Sequence, residues 1–195
     1  MARELAHALG MNWVMAGEFQ EIGEGGGRRP ALTGQAILSR TRIDDPKVIV
    51  FRRQAAWRWR YNPTQPRRGG RVALRARTGG ALVYNLHIES VGPDGLRQNQ
   101  LQDVVADQTP MADDVVIVGG DFNTTVAGRA AVVSTMTTAG FAHAPGAGHA
   151  RTSINHRQPL DWIFLKGRGH RDGHVHPAPG ISDHDPVVTT LARQE

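Results

Sequence analysis

The sequence contains no cysteine, and this absence excludes disulfide bonds and any metal site built on thiolates. No apolar run approaches the length of a membrane span, and the chain does not open with the charged and then apolar segments of a signal peptide. These features predict neither a cellular compartment nor an oligomeric state. Lysine is also scarce, because Lys47 and Lys166 are the only two in the chain.

Arginine carries almost all of the positive charge. The formal net charge is +5 over 195 residues, a balance that favours an anionic partner. A genome-wide bias towards arginine codons would give the same composition, so both explanations stay open. With 39% hydrophobic and 21% charged residues, the chain has the composition of a globular protein with a sizeable core. No repeat or linker divides it, which predicts a single domain over residues 1–195.

A run of mostly β-branched residues at 115–118 predicts a strand that is buried on both faces. Gly119 and Gly120 follow and allow a sharp turn, so the strand delivers Asp121 and Asn123 to its carboxyl end. A carboxylate and a carboxamide in one small volume suit a phosphate bound together with a hydrated divalent cation. They equally suit a turn in which both side chains bond to the local backbone. The motif alone does not choose between the two.

Hydrophobic periodicity, glycine and proline divide the rest of the chain into short elements. Helices are predicted over residues 1–10, 96–108 and 128–139. Strands are predicted over residues 12–16, 36–40, 48–51, 56–61, 72–76, 81–88, 115–123, 160–165 and 187–191. Loops are predicted over residues 18–30, 142–158 and 170–180, with a turn at residues 44–46 and Asp94 as the N-cap of the second helix. This mixture of hairpins and helical crossovers predicts an α+β fold of two packed mixed β-sheets flanked by helices.

Two further stretches have a structural interpretation beside a functional one. Residues 56–61 alternate strictly, with Trp57 and Trp59 on one face and arginines on the other. Arginines interleaved with aromatics can grip a nucleic-acid backbone, but an outer strand with its aromatics facing the core is favoured. His174 and His176 have the spacing of transition-metal ligands. No further ligand is evident nearby, so a solvated loop is favoured for them.

Four stretches together form the most informative pattern in the chain. They are Asn85-Leu86-His87, Gly120-Asp121-Phe122-Asn123, Leu160-Asp161-Trp162-Ile163 and Ser182-Asp183-His184. In this order and spacing they resemble the endonuclease/exonuclease/phosphatase superfamily, whose members share the deoxyribonuclease I-like fold. Residues 36–40 resemble the family's strand after its first loop, and Arg97, Gln100 and Leu101 resemble part of its central helix. The resemblance implies an α/β four-layer sandwich and a Mg²⁺-dependent phosphoesterase, with Mn²⁺ as the alternative cation.

The resemblance also implies roles for the matching carboxylates. Asp183 and Asp121 would be metal ligands, and Asp121 would in addition handle the proton of the attacking water or of the leaving group. The chemistry is consistent, because Mg²⁺ prefers carboxylate and water oxygens and phosphate-ester hydrolysis needs a cation to neutralise charge. Asp185 stands beside the motif and is expected to have a solvated or structural role.

The two histidines of the pattern would work in proton transfer and phosphate binding. By resemblance, His184 would act as the base or the charge stabiliser next to the scissile phosphate, and Asp161 would orient it from behind. His87 would donate to the phosphate or the leaving group, and Asn123 would hydrogen-bond a phosphoryl oxygen. Histidine suits these roles because it titrates near neutral pH, and a carboxylate behind it fixes its tautomer.

One part of the family pattern is absent from the chain. The family opens with a strand ending in asparagine and a second strand ending in Gln-Glu, whose glutamate is the principal metal ligand. Both precede the helix that here begins at Met1. Phe19-Gln20-Glu21 resembles the second motif, but it follows the helix and falls in the predicted glycine-rich loop, so we interpret it as solvated. The resemblance therefore implies a domain truncated at its N-terminus, with weak magnesium binding and little hydrolysis.

The substrate class stays open at the level of sequence. Nucleic acid, phosphoinositide, sphingomyelin and small phosphate esters are all substrates within the superfamily. The basic composition favours a phosphodiester in DNA or RNA. One alternative is a phosphatase or phospholipase that acts on a non-nucleic substrate. Another is an inert member that binds phosphate or nucleic acid through its arginines without turnover.

Overall fold

The structure, a computed structural model, describes residues 1–21, 31–56, 67–108, 115–144, 151–155, 158–167 and 170–191. The helices are α1 (Ala2–Leu9), α2 (Asp94–Asp107) and α3 (Arg129–Thr138). The strands are β1 (Asn12–Glu21), β2 (Leu32–Ser39), β3 (Ile43–Val50), β4 (Arg67–Gly69), β5 (Val72–Thr78), β6 (Ala81–His87), β7 (Val115–Asp121), β8 (Ala142–His143), β9 (Asp161–Lys166), β10 (His170–Val175) and β11 (Val187–Leu191). Of these helices, none has the length and apolar character needed to cross a membrane.

The strands form one large sheet and two small ones. The large sheet has the order β3-β5-β6-β7-β9-β8, and the small sheets have the orders β2-β1-β4 and β10-β11. Within the large sheet β6 and β7 are parallel, whereas the other neighbours are antiparallel. Strands β1 and β2 pack on β5, and β11 packs near β9. The arrangement confirms the predicted α+β fold of packed mixed sheets flanked by helices.

Two apolar cores hold these layers together. The larger core joins the large sheet to α2 and α3 through residues such as Leu86, Leu101 and Met136, all completely buried. The smaller core lies between the sheets and includes Ile37 of β2 and Leu74 of β5. Strand β5 contributes to both cores, and its first five residues are all buried, as expected for a strand covered on both faces.

Several predicted loops and turns are strands in the structure. Strand β1 continues to Glu21 instead of ending at residue 16, and residues 170–175 form β10 through pairing with β11. The predicted turn at 44–46 lies within β3, where the register against β5 shifts between Asp44 and Lys47. In each case pairing with a distant strand overrides a locally polar sequence. The strand predicted over residues 56–61 lies, from residue 57 onwards, outside the described part of the chain.

The start of α2 also differs from the prediction. Asp94 is the first residue of the helix and not its N-cap, which is Pro93 and has no side-chain cap bond. The Asp94 carboxylate instead accepts hydrogen bonds from Arg97, at 2.9 Å, and from Thr125, at 2.8 Å. It therefore links the start of α2 to the loop that follows β7.

Candidate active site

Three polar residues lie side by side where neighbouring strands of the large sheet end or begin. His87, the last residue of β6, pairs in register with Asp121, the last residue of β7. Asp121 in turn pairs with Asp161, the first residue of β9. Because β6 and β7 are parallel while β9 runs the other way, two strand ends and one strand start meet at one edge of the sheet.

The backbone before Asp121 needs glycine. Gly120 has φ +137°, and a Cβ there would lie 1.9 Å from the Leu86 carbonyl oxygen of β6. This close approach of β6 and β7 is open only to a residue without a side chain. The sequence Gly-Gly-Asp therefore serves to bring Asp121 close to the end of β6.

Asp121 and Asn123 form a tight local turn. The Asn123 backbone N–H donates to Asp121 Oδ1 at 2.7 Å, and Asn123 Nδ2 donates to Asp121 Oδ2 at 3.1 Å and to the Ile88 carbonyl at 3.0 Å. The interpretation as a locally bonded turn is therefore confirmed, whereas binding of a phosphate with a cation stays a prediction. The two amide hydrogens of Asn123 are engaged, so the predicted bond to a phosphoryl oxygen would require one of them to be released.

His184 joins the cluster from a distant segment. Its Nδ1 lies 2.7 Å from Asp161 Oδ2, as the predicted orienting role of Asp161 requires. Among the residues that the structure describes, Asp121, Asp161 and His184 form a group whose possible ligand atoms lie within 4.8 Å of one another. Two carboxylate oxygens and one imidazole nitrogen are a suitable donor set for a divalent cation.

The two aspartates that flank His184 are not members of this group. Asp183 is exposed and lies outside that group, and its side chain accepts a bond from Ser182 Oγ at 3.4 Å. Its assignment as a metal ligand stays a prediction. Asp185 Oδ1 accepts the Ala178 backbone N–H at 2.8 Å, which agrees with the structural role expected for it.

His87 is held as one tautomer by an arginine. Arg71 Nη1 lies 2.9 Å from His87 Nδ1, and because a guanidinium can only donate, Nδ1 must accept. The proton is then on Nε2, which lies 3.4 Å from Asp121 Oδ2. Burial of the ring, followed by the positive charges of Arg71 and His184, lowers the pKa of His87 to about 3. His87 is therefore a neutral hydrogen-bond donor at physiological pH.

The pKa of Asp121 is shifted in the opposite direction, upwards. Burial, followed by the neighbouring carboxylate of Asp161, raises the pKa of Asp121 to about 6, although the hydrogen bond from the Asn123 N–H opposes the change. A bound cation relieves such an unfavourable ionisation of a carboxyl group beside a second carboxylate. The residues present therefore fit a divalent metal.

A buried ion pair lies behind His87, and no local sequence pattern indicated it. Glu18 Oε2 lies 3.2 Å from Arg71 Nη1, and Glu18 Oε1 accepts the Val72 N–H at 3.3 Å. Burial raises the pKa of Glu18 even though Arg71 opposes that shift. Glu21 is buried too and lies 3.5 Å from Arg67. The prediction that these glutamates lie in a solvated loop is wrong, because arginines from a later segment of the chain cover both carboxylates.

Solved structures with the same fold have low sequence identity to the chain. An endonuclease/exonuclease/phosphatase from Bacteroides vulgatus has a TM-score of 0.65 at 17% identity, with 98% of this chain and 80% of that chain covered. The 3′ phosphatase NExo from Neisseria, bound to a product DNA hairpin, has a TM-score of 0.65 at 15% identity, with coverages of 99% and 84%. TDP2 from D. rerio, complexed with a single-strand DNA product, has a TM-score of 0.64 at 18% identity, with coverages of 98% and 80%.

A family-level match agrees with the fold and the cluster. No curated protein matched the sequence. A sequence model of the Endonuclease/Exonuclease/phosphatase family matches residues 3–184, a span that contains all four motifs of the sequence pattern. The chain belongs to the endonuclease/exonuclease/phosphatase family.

Proposed function

We propose that the protein is a metal-dependent phosphoesterase that hydrolyses a phosphodiester, with nucleic acid as the favoured substrate. The single observation that carries the proposal is the convergence of His87, Asp121, Asp161 and His184 at one edge of the large sheet. A neutral donor, two carboxylates and an oriented imidazole are the groups that hydrolysis of a phosphate ester needs.

The proposed division of labour follows from the contacts of each group. Water attacks phosphorus, a new P–O bond forms and the ester P–O bond breaks. Asp121 takes the proton of the water and returns one to the leaving oxygen, while His184 stabilises the developing negative charge. Asp161 engages Nδ1 of His184, which leaves Nε2 as the nitrogen for the substrate. The Nε2–H of His87 donates to a phosphoryl oxygen, as its tautomer allows.

A divalent cation fits beside these residues. The carboxylates of Asp121 and Asp161 would hold it, and Asp183 stays a predicted further ligand. His184 would lie beside the cation, with Nδ1 on Asp161 and Nε2 free for the substrate. We propose Mg²⁺, with Mn²⁺ as the alternative, because carboxylate oxygens dominate the donor set. When bound, the cation would neutralise negative charge on the phosphate.

Nucleic acid is favoured as the substrate for two reasons. The net charge of +5 attracts a polyanion. Two structural neighbours, NExo and TDP2, are described as bound to DNA products. The alternative substrates are a phosphoinositide, sphingomyelin or a small phosphate ester.

The test is a substrate panel with matched variants. DNA, RNA, phosphoinositide, sphingomyelin and p-nitrophenyl phosphate are each assayed with Mg²⁺, with Mn²⁺ and with EDTA. We expect metal-dependent cleavage of nucleic acid that is lost in His184→Gln and Asp121→Asn. The Asp172→Asn variant, which changes an exposed aspartate of β10, should retain this cleavage activity.

Two other results would contradict the proposal. Turnover confined to the lipid or small esters would support the alternative substrates. Salt-sensitive binding of DNA without turnover in any condition would instead support an inert phosphate-binding member.

A further inference from the structure

A short segment connects the two residues of the Asp161–His184 pair. Residues 151–155 lie between β8 and β9 in the sequence. Ser153 forms an isolated bridge with His184, and the Ile154 N–H donates to the Asp183 carbonyl at 2.9 Å. This segment therefore supports the backbone on both sides of the catalytic histidine.

Thr152 lies at the centre of the segment and is completely buried. Its Oγ1 accepts the Leu160 N–H at 2.9 Å and the Asp161 N–H at 3.0 Å. The threonine side chain thus fixes the backbone from which the Asp161 carboxylate projects. Without Oγ1, one buried and one part-buried N–H group would lose their partner, and the start of β9 would have to shift to satisfy them.

The backbone of Thr152 holds the other half of the pair. Its carbonyl accepts the Asp185 N–H at 2.7 Å, and its own N–H donates to the Gln158 carbonyl at 3.1 Å. Asp185 directly follows His184, so one buried residue bonds to Asp161 through its side chain and to the neighbour of His184 through its carbonyl. The 2.7 Å contact between His184 Nδ1 and Asp161 Oδ2 closes this ring of contacts.

We propose that Thr152 is a positioning residue that sets the hydrogen bond between Asp161 and His184. Thr152 acts through these two residues and does not touch the substrate. The inference rests on the proposed phosphoesterase function, because only there does the orientation of His184 matter. A displacement of about 1 Å at such a pair lowers turnover by about 100-fold while leaving substrate binding largely intact.

The test compares four variants of the whole protein. Thr152→Val removes the hydroxyl with little change in shape, Thr152→Ser retains it, and Thr152→Cys replaces it with a weaker acceptor. Thr135→Val is the matched control, because the Thr135 hydroxyl donates to Gln98 Oε1 at 2.8 Å between α3 and α2, away from the site. We expect kcat to fall about 100-fold in Thr152→Val, with KM changed by less than about 3-fold. We expect kcat of Thr152→Ser and of Thr135→Val to stay near that of the parent, and kcat of Thr152→Cys to lie between those of Thr152→Ser and Thr152→Val.

A second measurement separates this inference from the proposed function. The Nδ1–H proton of His184, bonded to a carboxylate, gives a downfield NMR resonance that is identified by its absence in His184→Gln. We expect that resonance to shift or broaden in Thr152→Val and to persist in Thr152→Ser and Thr135→Val, even if no substrate is turned over. If Thr152→Val does not fold, Thr152→Cys gives the same comparison. An unchanged resonance with turnover equal to that of Thr135→Val would overturn the inference.

Discussion

At the scale of single residues, buried charges near the site compensate one another. Arg71 lies within 3.2 Å of Glu18 and within 2.9 Å of His87. The carboxylate balances the guanidinium, and the guanidinium fixes the tautomer of the histidine. The Glu18–Arg71 pair therefore prepares His87 as a hydrogen-bond donor.

Glu18 makes the stability of the protein depend on pH. Its folded-state pKa lies above the ordinary value of 4.5, so the stability it contributes is complete below pH 4.5 and is lost as pH rises through the folded pKa. Glu18→Gln removes this loss, and we expect its free energy of unfolding to decline less above pH 4.5 than that of the parent. Urea unfolding at several pH values measures the slope. The control is Glu4→Gln, because Glu4 is exposed with a lowered pKa and acts only below pH 4.5. Equal slopes in Glu18→Gln and the parent would contradict the prediction.

The variant Asp161→Asn tests directly whether Asp161 orients His184. Asp161→Asn keeps the size of the side chain but no longer offers a carboxylate to His184 Nδ1. We expect turnover to fall about 100-fold or more, with little effect on KM. Steady-state kinetics at saturating metal, with Asp172→Asn as control, measure the change. Turnover equal to that of the control would show that the carboxylate does not serve the histidine.

At the scale of elements, α2 organises the loop that follows β6. Arg97 is buried and donates to three backbone carbonyls of this loop: Nε to Glu89 at 2.8 Å, Nη1 to Gly92 at 3.1 Å and Nη2 to Ser90 at 3.0 Å. Gln100, one turn further on, accepts the Glu89 N–H at 2.8 Å. The helix thereby holds the chain immediately after His87.

Removing this arginine should destabilise the protein. Arg97→Met leaves three carbonyls without their donor, and we expect the free energy of unfolding to fall by about 2–4 kcal/mol. Arg97→Lys should recover little of the lost free energy of unfolding, because one ammonium group cannot replace the planar guanidinium group with its several donors. Chemical denaturation measures both variants against Arg3→Met, where the side chain is exposed and the effect should stay within about 0.5 kcal/mol. A loss in Arg97→Met no larger than in Arg3→Met would exclude this role for the helix.

At the scale of the whole molecule, the local sequence predicts which polar residues lie at the ends of the strands. The strand that brings Asp121 to its end was predictable from the local sequence, and the α+β fold followed from the mixture of elements. The sharp turn predicted at Gly119 and Gly120 is wrong, because both glycines continue β7 and pair with β6 and β9. The ring of contacts around Thr152 was not readable, because its partners are backbone groups of other segments. The glutamates of β1 were misinterpreted for the same reason, since their arginine partners come from residues 67–71. The polar local sequence indicated that these glutamates are solvent-exposed, whereas pairing with arginines from another segment buries them.

The balance of charges across the molecule also predicts how strongly magnesium binds. The described cluster offers two carboxylates and one imidazole, whereas Glu18 and Glu21 are turned to Arg71 and Arg67. Mg²⁺ demands octahedral oxygen coordination and gives up its water reluctantly, so we expect a dissociation constant on the order of 1 mM or weaker.

Isothermal titration calorimetry with Mg²⁺ and Mn²⁺ tests this expectation. Asp121→Asn should abolish the residual binding, because it removes one of the two carboxylates of the cluster. Glu18→Gln and Glu21→Gln should leave the affinity unchanged if both glutamates serve only as partners of arginine. Tight binding that is lost in either glutamate variant would mean that a β1 carboxylate turns from its arginine to the metal, and that the site extends from the large sheet to β1.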